Sequence, residues 1–258
     1  MPKEKDYCFA TLALGQRYRT MTVGLAEELA QHAPGSSLVV YTDKPSDFDT
    51  VSNIKAFKHS QQGILHCYND KLFLIETALS IAPVVIHIDA DTHLVDRIPE
   101  DLHWKPGITS VYENLVDHVT KNRPHSLPDL KKVADKLEMT PNQWENAVWI
   151  GEALYVVVPE GGKEREFLRM WQKIGDYMEL RGMYAGSGNF MGLAAAKVGL
   201  SVHNEGYREL AAALKHWDAS LSRPKPTLWK SFSKRLGYHY RLNRARLRAL
   251  QDFDFYYR

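Results

Sequence analysis

The chain has 258 residues, of which 44% are hydrophobic and 25% are charged, an ordinary balance for a globular protein. Its two cysteines, Cys8 and Cys67, lie in apolar surroundings and are too few for a disulfide framework. The apolar runs are too short to cross a bilayer, and the charged N-terminus lacks the apolar core of a signal peptide. We therefore expect a cytoplasmic protein.

The first hundred residues predict strands that alternate with helices. An apolar run opens the chain, and the helix after it stops at Pro34-Gly35. Short apolar strands in this order indicate a mostly parallel α/β sheet. The strands are expected at 7–14, 37–41, 54–57 and 84–91, and the helices at 21–33 and 72–79.

The second half is less regular. The polar, proline-punctuated stretch 120–145 predicts surface helices and loops. Arg223-Pro224-Lys225-Pro226 predicts a hinge, which divides the chain into a main domain at 1–222 and an extension at 223–258. The further strands are expected at 108–112 and 153–158, and the further helices at 164–180 and 186–197.

Residues 84–91 read Val-Val-Ile-His-Ile-Asp-Ala-Asp, an apolar run that ends in two carboxylates. Ligands of open α/β sheets collect at the carboxyl ends of strands, where Asp89 and Asp91 are predicted to lie. Carboxylates this close repel each other unless a cation or a donor lies between them. Mg²⁺ or Mn²⁺ fits such ligands and bridges substrate phosphates. The alternative is one aspartate in a turn or helix cap and a second that is merely exposed.

The order of these segments resembles the glycosyltransferases of the GT-A fold, especially the retaining families 6 and 8, which use a nucleotide-diphosphate sugar and Mn²⁺. The resemblance implies an α/β fold with a single, mostly parallel central sheet flanked by helices, here with a helical basic C-terminal extension. It implies a nucleotide-binding part at about 1–100 and an acceptor part at about 101–222. The segments that carry it are the strand ending at Gly15, Val-Val-Tyr-Thr-Asp at 39–43, the helix with Tyr68 and Lys71, and Ile-Asp-Ala-Asp-Thr at 88–92, which looks like the Asp-x-Asp motif.

For the donor, the resemblance implies a nucleoside pocket at the end of the first strand. Asp43 would lie near the base, and a loop would bring Arg17 or Tyr18 to the base or the phosphates. Lys71 would point at the diphosphate. Each of these residues also has an ordinary explanation, as an exposed lysine, a turn aspartate or a solvated loop residue. The donor contacts that we expect are Ala10, Thr11, Leu12, Arg17, Tyr18, Asp43, Lys71, Asp89 and Ala90.

For the metal, the resemblance implies that Asp91 binds the ion directly and that Asp89 touches the ion, through water, or the donor ribose. Family 8 enzymes add a histidine from His-x-x-Gly-x-x-Lys-Pro-Trp. His203-Asn-Glu-Gly206 matches the first half of that pattern, but Glu209 stands at the lysine position, and Lys215-His216-Trp217 comes later. The third ligand is therefore His216 or His203. His87 is interpreted as a supporting residue.

The acceptor side is expected in the segments that follow the metal motif. Trp149 would stack on a sugar face, while Glu152 would bind hydroxyls or act as the general base of the reaction. The amides of Gly188 and Asn189 would open a helix toward the sugar or a phosphate. A solvent-facing glutamate and a simple helix cap explain the same residues.

The C-terminal extension is basic, with Asp252 and Asp254 as its acidic residues, and it carries aromatic side chains among the charges. Residues 224–258 are therefore a candidate for peripheral contact with an anionic membrane, at the inner membrane face. The alternative is a solvated helix that packs by its aromatic face.

We expect a metal-dependent hexosyltransferase that moves a sugar from a nucleotide-diphosphate donor, above all a UDP-sugar, to a hydroxyl of a glycan or lipid-linked acceptor. No nucleic-acid partner is expected. The alternatives are a sugar nucleotidyltransferase and a non-catalytic nucleotide- or sugar-binding protein. The sequence lacks a phosphate-binding Gly-x-x-x-x-Gly-Lys loop, a Gly-x-Gly-x-x-Gly dinucleotide motif and a Cys/His zinc cluster, which argues against those classes.

Overall fold

A computed structural model describes residues 5–217, 219 and 228–258. The strands within these ranges are β1 (Tyr7–Ala13), β2 (Ser37–Thr42), β3 (Ile54–Lys58), β4 (Val84–Ile88), β5 (Thr92–Leu94), β6 (Gly107–Thr109), β7 (Tyr112–Asn114), β8 (Val148–Ile150), β9 (Leu154–Val158), β10 (Val202–His203) and β11 (Leu214–His216). The helices there are α1 (Gln16–His32), α2 (Lys71–Leu79), α3 (Leu115–Asn122), α4 (Leu127–Lys136), α5 (Pro141–Glu145), α6 (Lys163–Leu180), α7 (Ser187–Val198), α8 (Tyr207–Ala212), α9 (Leu228–Ala249) and α10 (Phe253–Tyr257).

The central sheet has seven strands in the order β10-β6-β9-β4-β1-β2-β3. All neighbours are parallel except β9, which runs antiparallel to both β4 and β6. The inner strands β1 and β4 are almost continuously apolar because helices cover both of their faces. The predicted mostly parallel α/β sheet is therefore confirmed.

The two faces of the sheet have separate cores. Ile86 and Ile88 of β4 belong to the core that contains residues of α1. Val85 belongs to the core on the other face, together with residues of α2, α6 and α7. Side chains alternate along a strand, so His87 points to the α2 face, where its ring lies 4.6 Å from that of Tyr155.

One expectation from the second half of the chain was wrong. The single strand at 108–112 is two strands, β6 in the central sheet and β7 in a ribbon with β8. Between them the hydroxyl of buried Ser110 donates to backbone oxygens of Gly151 and Leu154, which turns the chain. The stretch 120–145 forms the expected surface helices and loops, and α4 also buries Leu130 and Val133 in the core. Its many charges occupy the outer face and conceal that apolar stripe.

The C-terminal helices contact the main body. Arg248 of α9 pairs with Asp176 of α6 at 3.2 Å, and the Arg241 guanidinium donates to the Ile64 carbonyl at 3.1 Å. Phe255 of α10 is buried against Tyr177. The predicted hinge at 223–226 lies outside the described residues, and the division into two domains stays a prediction. None of the helices in the described ranges is long and apolar enough to cross a membrane.

Candidate functional site

Strand β4 carries the Asp-x-Asp segment to the carboxyl edge of the sheet. The strand ends at Ile88, and the amide of Asp89 still donates to the Ala153 carbonyl beside β9. The Asp89 carbonyl then accepts from the Thr92 amide at 3.0 Å, which closes a tight turn before β5. The turn holds both carboxylates at the edge where ligands of such sheets bind.

Asp89 is paired with a buried lysine on the α2 face. The ammonium of Lys71, the first residue of α2, lies 2.7 Å from Asp89 Oδ1, and His87 Nε2 lies 3.3 Å from the same oxygen. Burial alone would raise the pKa of Asp89, but the Lys71 charge and the contacts with His87 and Lys71 together outweigh burial and hold that pKa well below its usual range. Burial lowers the pKa of His87 to about 4, so its ring is neutral at pH 7.

Asp91 is held by a different part of the chain. Its Oδ2 accepts from the Ala219 amide at 2.9 Å, and its carbonyl accepts from the Trp217 amide at 2.9 Å. Strand β11 pairs antiparallel with β5 and sets His216 opposite Thr92. As a result His216 Nδ1 lies 3.6 Å from Asp91 Oδ1.

Asp89, Asp91 and His216 form a possible cation site. Each offers one ligand atom, and these atoms lie within 4.8 Å of one another. Lys71 and His87 contact Oδ1 of Asp89, and Ala219 contacts Oδ2 of Asp91, so each carboxylate has a second oxygen to turn toward an ion. Two carboxylates and an imidazole are ligands that Mn²⁺ accepts, so the residues present fit the expected metal.

The structure separates the two histidines that the sequence left open as the third ligand. His216 joins the aspartates, whereas His203 lies in β10 at the outer edge of the sheet. There its Nε2 lies 3.0 Å from the Pro106 carbonyl. His216 rather than His203 lies near the aspartates because of the antiparallel β5–β11 pairing, which no local sequence motif predicts.

Glu152 lies on the α2 face of the site and is joined to Lys71. The Lys71 ammonium donates to the Glu152 carbonyl at 2.8 Å. The carboxylate of Glu152 accepts the Ser187 hydroxyl, and at 3.2 Å the Gly188 amide, at the start of α7. Burial raises the pKa of Glu152, and the nearby Asp89 charge adds to that effect while Lys71 opposes it. A carboxyl with a raised pKa suits proton transfer near neutral pH.

The first turn of α7 packs tightly against β8. A Cβ at Gly188 would lie 2.3 Å from the Ile150 carbonyl oxygen and 2.6 Å from Trp149 Nε1, so only glycine fits there. One face of the Trp149 ring stacks on His118, with centroids 4.2 Å apart and planes 4° apart. A sugar would therefore have to use the other face or the edge of Trp149. Asn189 is buried, and its Oδ1 has no hydrogen-bond partner among the described residues.

The remaining expected donor residues lie in β1, in the first turn of α1 and between the two aspartates. Ala10 and Thr11 are completely buried, Leu12 is half-buried, and Ala90 is buried beside the aspartates. The predicted loop at Arg17 and Tyr18 was wrong. They lie in the first turn of α1, because Gly15 ends the connection with a φ of 90°.

Asp43 anchors the beginning of α1. Its Oδ1 accepts the Gly15 amide at 2.9 Å and Arg19 Nη1 at 2.7 Å. A contact between Asp43 and a base stays a prediction, as do the donor contacts expected for Lys71, Arg17 and Tyr18. The pairing of Asp43 with Arg19 was not foreseen, although their spacing across a strand–helix junction is compatible with it.

A cavity of about 290 Å³ adjoins Asp91 on the α1 face of the sheet, and sequence reasoning missed it. Met21 of α1, Asp91, His93 of β5 and Trp217 line it. The Trp217 side chain is 64% exposed. His93 is fixed by its Nδ1, which lies 2.7 Å from Glu28 of α1. Residues far apart in sequence build this cavity, so no local signal could have revealed it.

Comparison with solved structures identifies proteins that share this fold. The chain superposes on the galactosyltransferase LgtC in complex with donor and acceptor sugar analogs, with a TM-score of 0.54 and 9% identity over 90% of this chain and 95% of that one. It superposes on the apo structure of WbbM, a bifunctional glycosyltransferase, with a TM-score of 0.52 and 12% identity over 83% of this chain and 46% of that one. The fold is that of the GT-A glycosyltransferases. No family model and no curated protein sequence matches the chain.

Proposed function

We propose that this protein is a metal-dependent glycosyltransferase, which moves a hexose-type sugar from a nucleotide-diphosphate sugar, with uridine as the expected nucleoside, to a hydroxyl of a glycan or a lipid-linked acceptor. The observation that carries the proposal is the group of Asp89, Asp91 and His216 at the carboxyl end of β4 in a GT-A fold. The fold by itself supports several functions, so the side chains at this edge have to carry the argument.

The cation would be Mn²⁺ or Mg²⁺, held by Asp91 and His216 and, directly or through water, by Asp89. When bound, the ion neutralises the negative charge that grows on the nucleoside diphosphate as the sugar–phosphate bond breaks. The turn between β4 and β5 and the β5–β11 pairing fix these three side chains before any donor arrives. Such preorganised groups stabilise the transition state without further rearrangement.

Lys71 has two roles in this proposal. Its ammonium keeps Asp89 ionised and in place through the 2.7 Å contact. It also puts a positive charge next to the position of the donor diphosphate, where it stabilises the leaving group more as the bond breaks. Neutral His87 supports Asp89 from the strand itself.

Glu152 would receive the proton of the acceptor hydroxyl. The Ser187 hydroxyl and the Gly188 amide orient its carboxylate, and its raised pKa brings it closer to the range in which it can take up a proton. Asn189 and the edge of Trp149 lie at the same helix start and would contact the sugars. In this arrangement the polar groups for sugar recognition lie on the α2 face of the site.

The acceptor could be reached at a membrane surface. Along α9 an apolar stripe, formed by Phe232, Leu236, Tyr240 and Leu247, is between 61% and 67% exposed. The spacings of four, four and seven residues put these side chains on one helix face. The exposed basic residues of the same helix include Lys234, Arg235, Arg244 and Arg246.

We propose that this stripe contacts the anionic cytoplasmic face of a membrane, because the exposed basic residues of the same helix complement anionic lipid. Vesicles that contain an anionic lipid should sediment the wild type, and the Leu236→Ser/Leu247→Ser double variant should lose most of that binding. Val95→Ser, at an apolar residue that is 55% exposed elsewhere, is the control and should bind like the wild type. Equal binding by the wild type and the double variant would refute the contact.

The test of the function is product formation. Purified protein is incubated with Mn²⁺, a panel of nucleotide sugars and candidate acceptors, and free nucleoside diphosphate and glycosylated product are measured together. Asp91→Asn should abolish both, while Asp96→Asn, at an exposed neighbour, should leave them unchanged. A nucleoside diphosphate that is bound without turnover would indicate the binding protein, and pyrophosphate release from a nucleoside triphosphate with a sugar phosphate would indicate a nucleotidyltransferase.

A further inference from the structure

We propose that Asn69 and Glu179 are positioning residues of the site and that they hold Lys71 in place. With Trp171 they form a buried hydrogen-bonded group, called here the α6 network, which ties the turn before α2 to α6. Their effect on the reaction passes through Lys71. The catalytic consequence of this inference rests on the proposed function, whereas the positioning itself is a property of the folded chain.

Lys71 has to be held because its side chain is long and has two partners. Its ammonium lies 2.7 Å from Asp89 Oδ1 and donates to the Glu152 carbonyl at 2.8 Å. Lys71 is the first residue of α2, and the amides in the first turn of a helix find no partner within the helix. Contacts from outside α2 therefore have to fix where the helix begins.

Asn69, two residues before Lys71, is held by α6. Its Oδ1 accepts the Trp171 indole N–H at 3.1 Å, and its Nδ2 donates to Glu179 Oε1 at 2.9 Å. All three side chains of this α6 network are buried. An indole N–H can only donate, so it selects the oxygen of the amide and fixes the orientation of the Asn69 side chain.

The second oxygen of Glu179 holds the loop that precedes this turn. Oε2 accepts the amide of buried Ile64 at 2.6 Å, and the Ile64 carbonyl accepts the Arg241 guanidinium of α9 at 3.1 Å. The backbone of Ile64 is therefore tied to two helices, α6 and α9. A single carboxylate fixes the chain both at Ile64 and at Asn69.

Asp70 makes the loop one compact unit. Its carboxylate accepts the Gln62 amide at 2.8 Å and the Gly63 amide at 2.9 Å, and it lies 2.9 Å from His59 Nε2. A Cβ at Gly63 would lie 2.0 Å from the His66 carbonyl oxygen, so the loop has no room to yield. Close-packed interiors transmit strain, and a displacement of this loop therefore reaches the start of α2.

Gly175 lets α6 come close enough for these contacts. A Cβ there would lie 3.0 Å from Asn69 Nδ2 and 3.1 Å from its Cγ. Because the amide of Asn69 is hydrogen-bonded at both ends, it can move away only by stretching one of those bonds. Gly175→Ala thus disturbs the α6 network without removing a hydrogen-bonding group.

Stability alone does not explain the α6 network. Burial raises the pKa of Glu179 to about 7, and well-packed apolar side chains often stabilise a core at least as well as buried ionisable groups do. A fully bonded polar network adds a unique geometry instead. Its place directly before Lys71 indicates which side chain that geometry serves.

The positioning is tested without donor, acceptor or metal. Urea unfolding of Lys71→Met, Asp89→Asn and the double variant gives their coupling energy, and the cycle is repeated in the Asn69→Ala and Gly175→Ala backgrounds. In both backgrounds the coupling should fall to less than half of its wild-type value, because the ammonium no longer stays 2.7 Å from the carboxylate. Gly175→Ala keeps the test valid if Asn69→Ala does not fold.

The matched control is Asn53→Ala, which removes a 2.7 Å hydrogen bond to the Ala26 carbonyl of α1 and should leave the coupling unchanged. The catalytic consequence is measured on kcat and KM. A misplacement of about 1 Å can slow a reaction about 100-fold, so the smaller shift in Gly175→Ala should lower kcat about threefold or more. KM for the donor should change less, and in a Lys71→Met background Gly175→Ala should lower kcat no further.

Each result decides the matter. If the coupling is unchanged in both backgrounds, the apolar packing of α2 places Lys71 by itself and the inference is wrong, although the proposed function stands. An equal loss of coupling in Asn53→Ala would show a general effect of lower stability and would overturn the inference too. The same holds if Gly175→Ala still lowers kcat in the Lys71→Met background, because the α6 network then acts on another group. If the coupling falls as expected but the wild type forms no product with any donor, the positioning is supported and the proposed function fails.

Discussion

Replacement of Lys71 by methionine removes the charge that compensates Asp89. The two groups are 2.7 Å apart, and their side chains are 7% and 28% exposed. With an effective dielectric constant of about 20, the bare attraction at that distance is about 6 kcal/mol. Desolvation offsets much of it, and removal of one partner from a buried pair typically costs about 3–5 kcal/mol. Since Asp89 is partly exposed, we expect Lys71→Met to lower the unfolding free energy by about 3 kcal/mol.

The pair interaction is isolated by a double-mutant cycle. Urea unfolding of Lys71→Met, Asp89→Asn and the double variant should give a coupling energy of about 2 kcal/mol, because the double variant leaves no charge unpaired. The control cycle uses Lys131 and Asp135, an exposed pair at 2.9 Å, which should give no more than about 0.5 kcal/mol.

The same variant makes a functional prediction. In Lys71→Met the Asp89 carboxylate lacks its compensating ammonium, so Mn²⁺ should raise Tm more in this variant than in the wild type. In the double-mutant cycle, losses of unfolding free energy in Lys71→Met and Asp89→Asn that add up to the loss in the double variant, within about 0.5 kcal/mol, would refute the electrostatic account of Lys71. An equal Mn²⁺ shift in both proteins would show that the ion does not approach Asp89.

Further predictions concern stability. Burial raises the pKa of Glu179 from its ordinary 4.5 to about 7. The folded protein therefore keeps a proton that the unfolded chain releases, and this group lowers the unfolding free energy by roughly 3 kcal/mol between pH 4.5 and 7. The stability difference between Glu179→Gln and the wild type should grow by that amount over this window, and a flat difference would contradict the assignment. Gly192→Ala puts a Cβ 1.5 Å from the Val148 carbonyl oxygen and should prevent stable folding. Gly24→Ala, in α1, meets nothing within 4 Å and should raise the unfolding free energy in urea by about 0.5–1 kcal/mol. Equal stabilities of these two variants would contradict the prediction. Asn114→Ala removes the side chain that caps α3 through the Val116 and Asp117 amides and should cost about 1 kcal/mol, and a cost near zero would show that the cap is not needed.

Much of the first half of the fold could be predicted because its signals are local. The apolar run before Asp89 is buried by helices on both sides, so its composition alone indicates an inner parallel strand. Pro34-Gly35 follows the end of α1, and proline and glycine are local signals that a helix stops. The start of α1 was placed too late, because the polar residues Gln16, Arg17 and Arg19 conceal a first turn that Asp43 stabilises from the end of β2.

The candidate site was predictable only in part. Asp89 and Asp91 are separated by one residue in the sequence, whereas His216 reaches them through the pairing of two three-residue strands. Ser187 reaches Glu152 through the packing of α7 on β8, which depends on glycines that admit close backbone contact. Such contacts are set by tertiary structure, and a single sequence contains no local record of them.

The most direct test of the central claim is a thermal-shift measurement of the wild type and Asp91→Asn with a panel of nucleotide sugars, each with and without Mn²⁺. A ligand that binds only the folded state raises Tm, by an amount that grows with the logarithm of its concentration relative to its Kd. We predict that one donor stabilises the wild type when Mn²⁺ is present, and that Asp91→Asn loses this shift. A donor shift that is equal without Mn²⁺ or in Asp91→Asn, or no shift with any donor, would contradict a metal-dependent donor site at the end of β4.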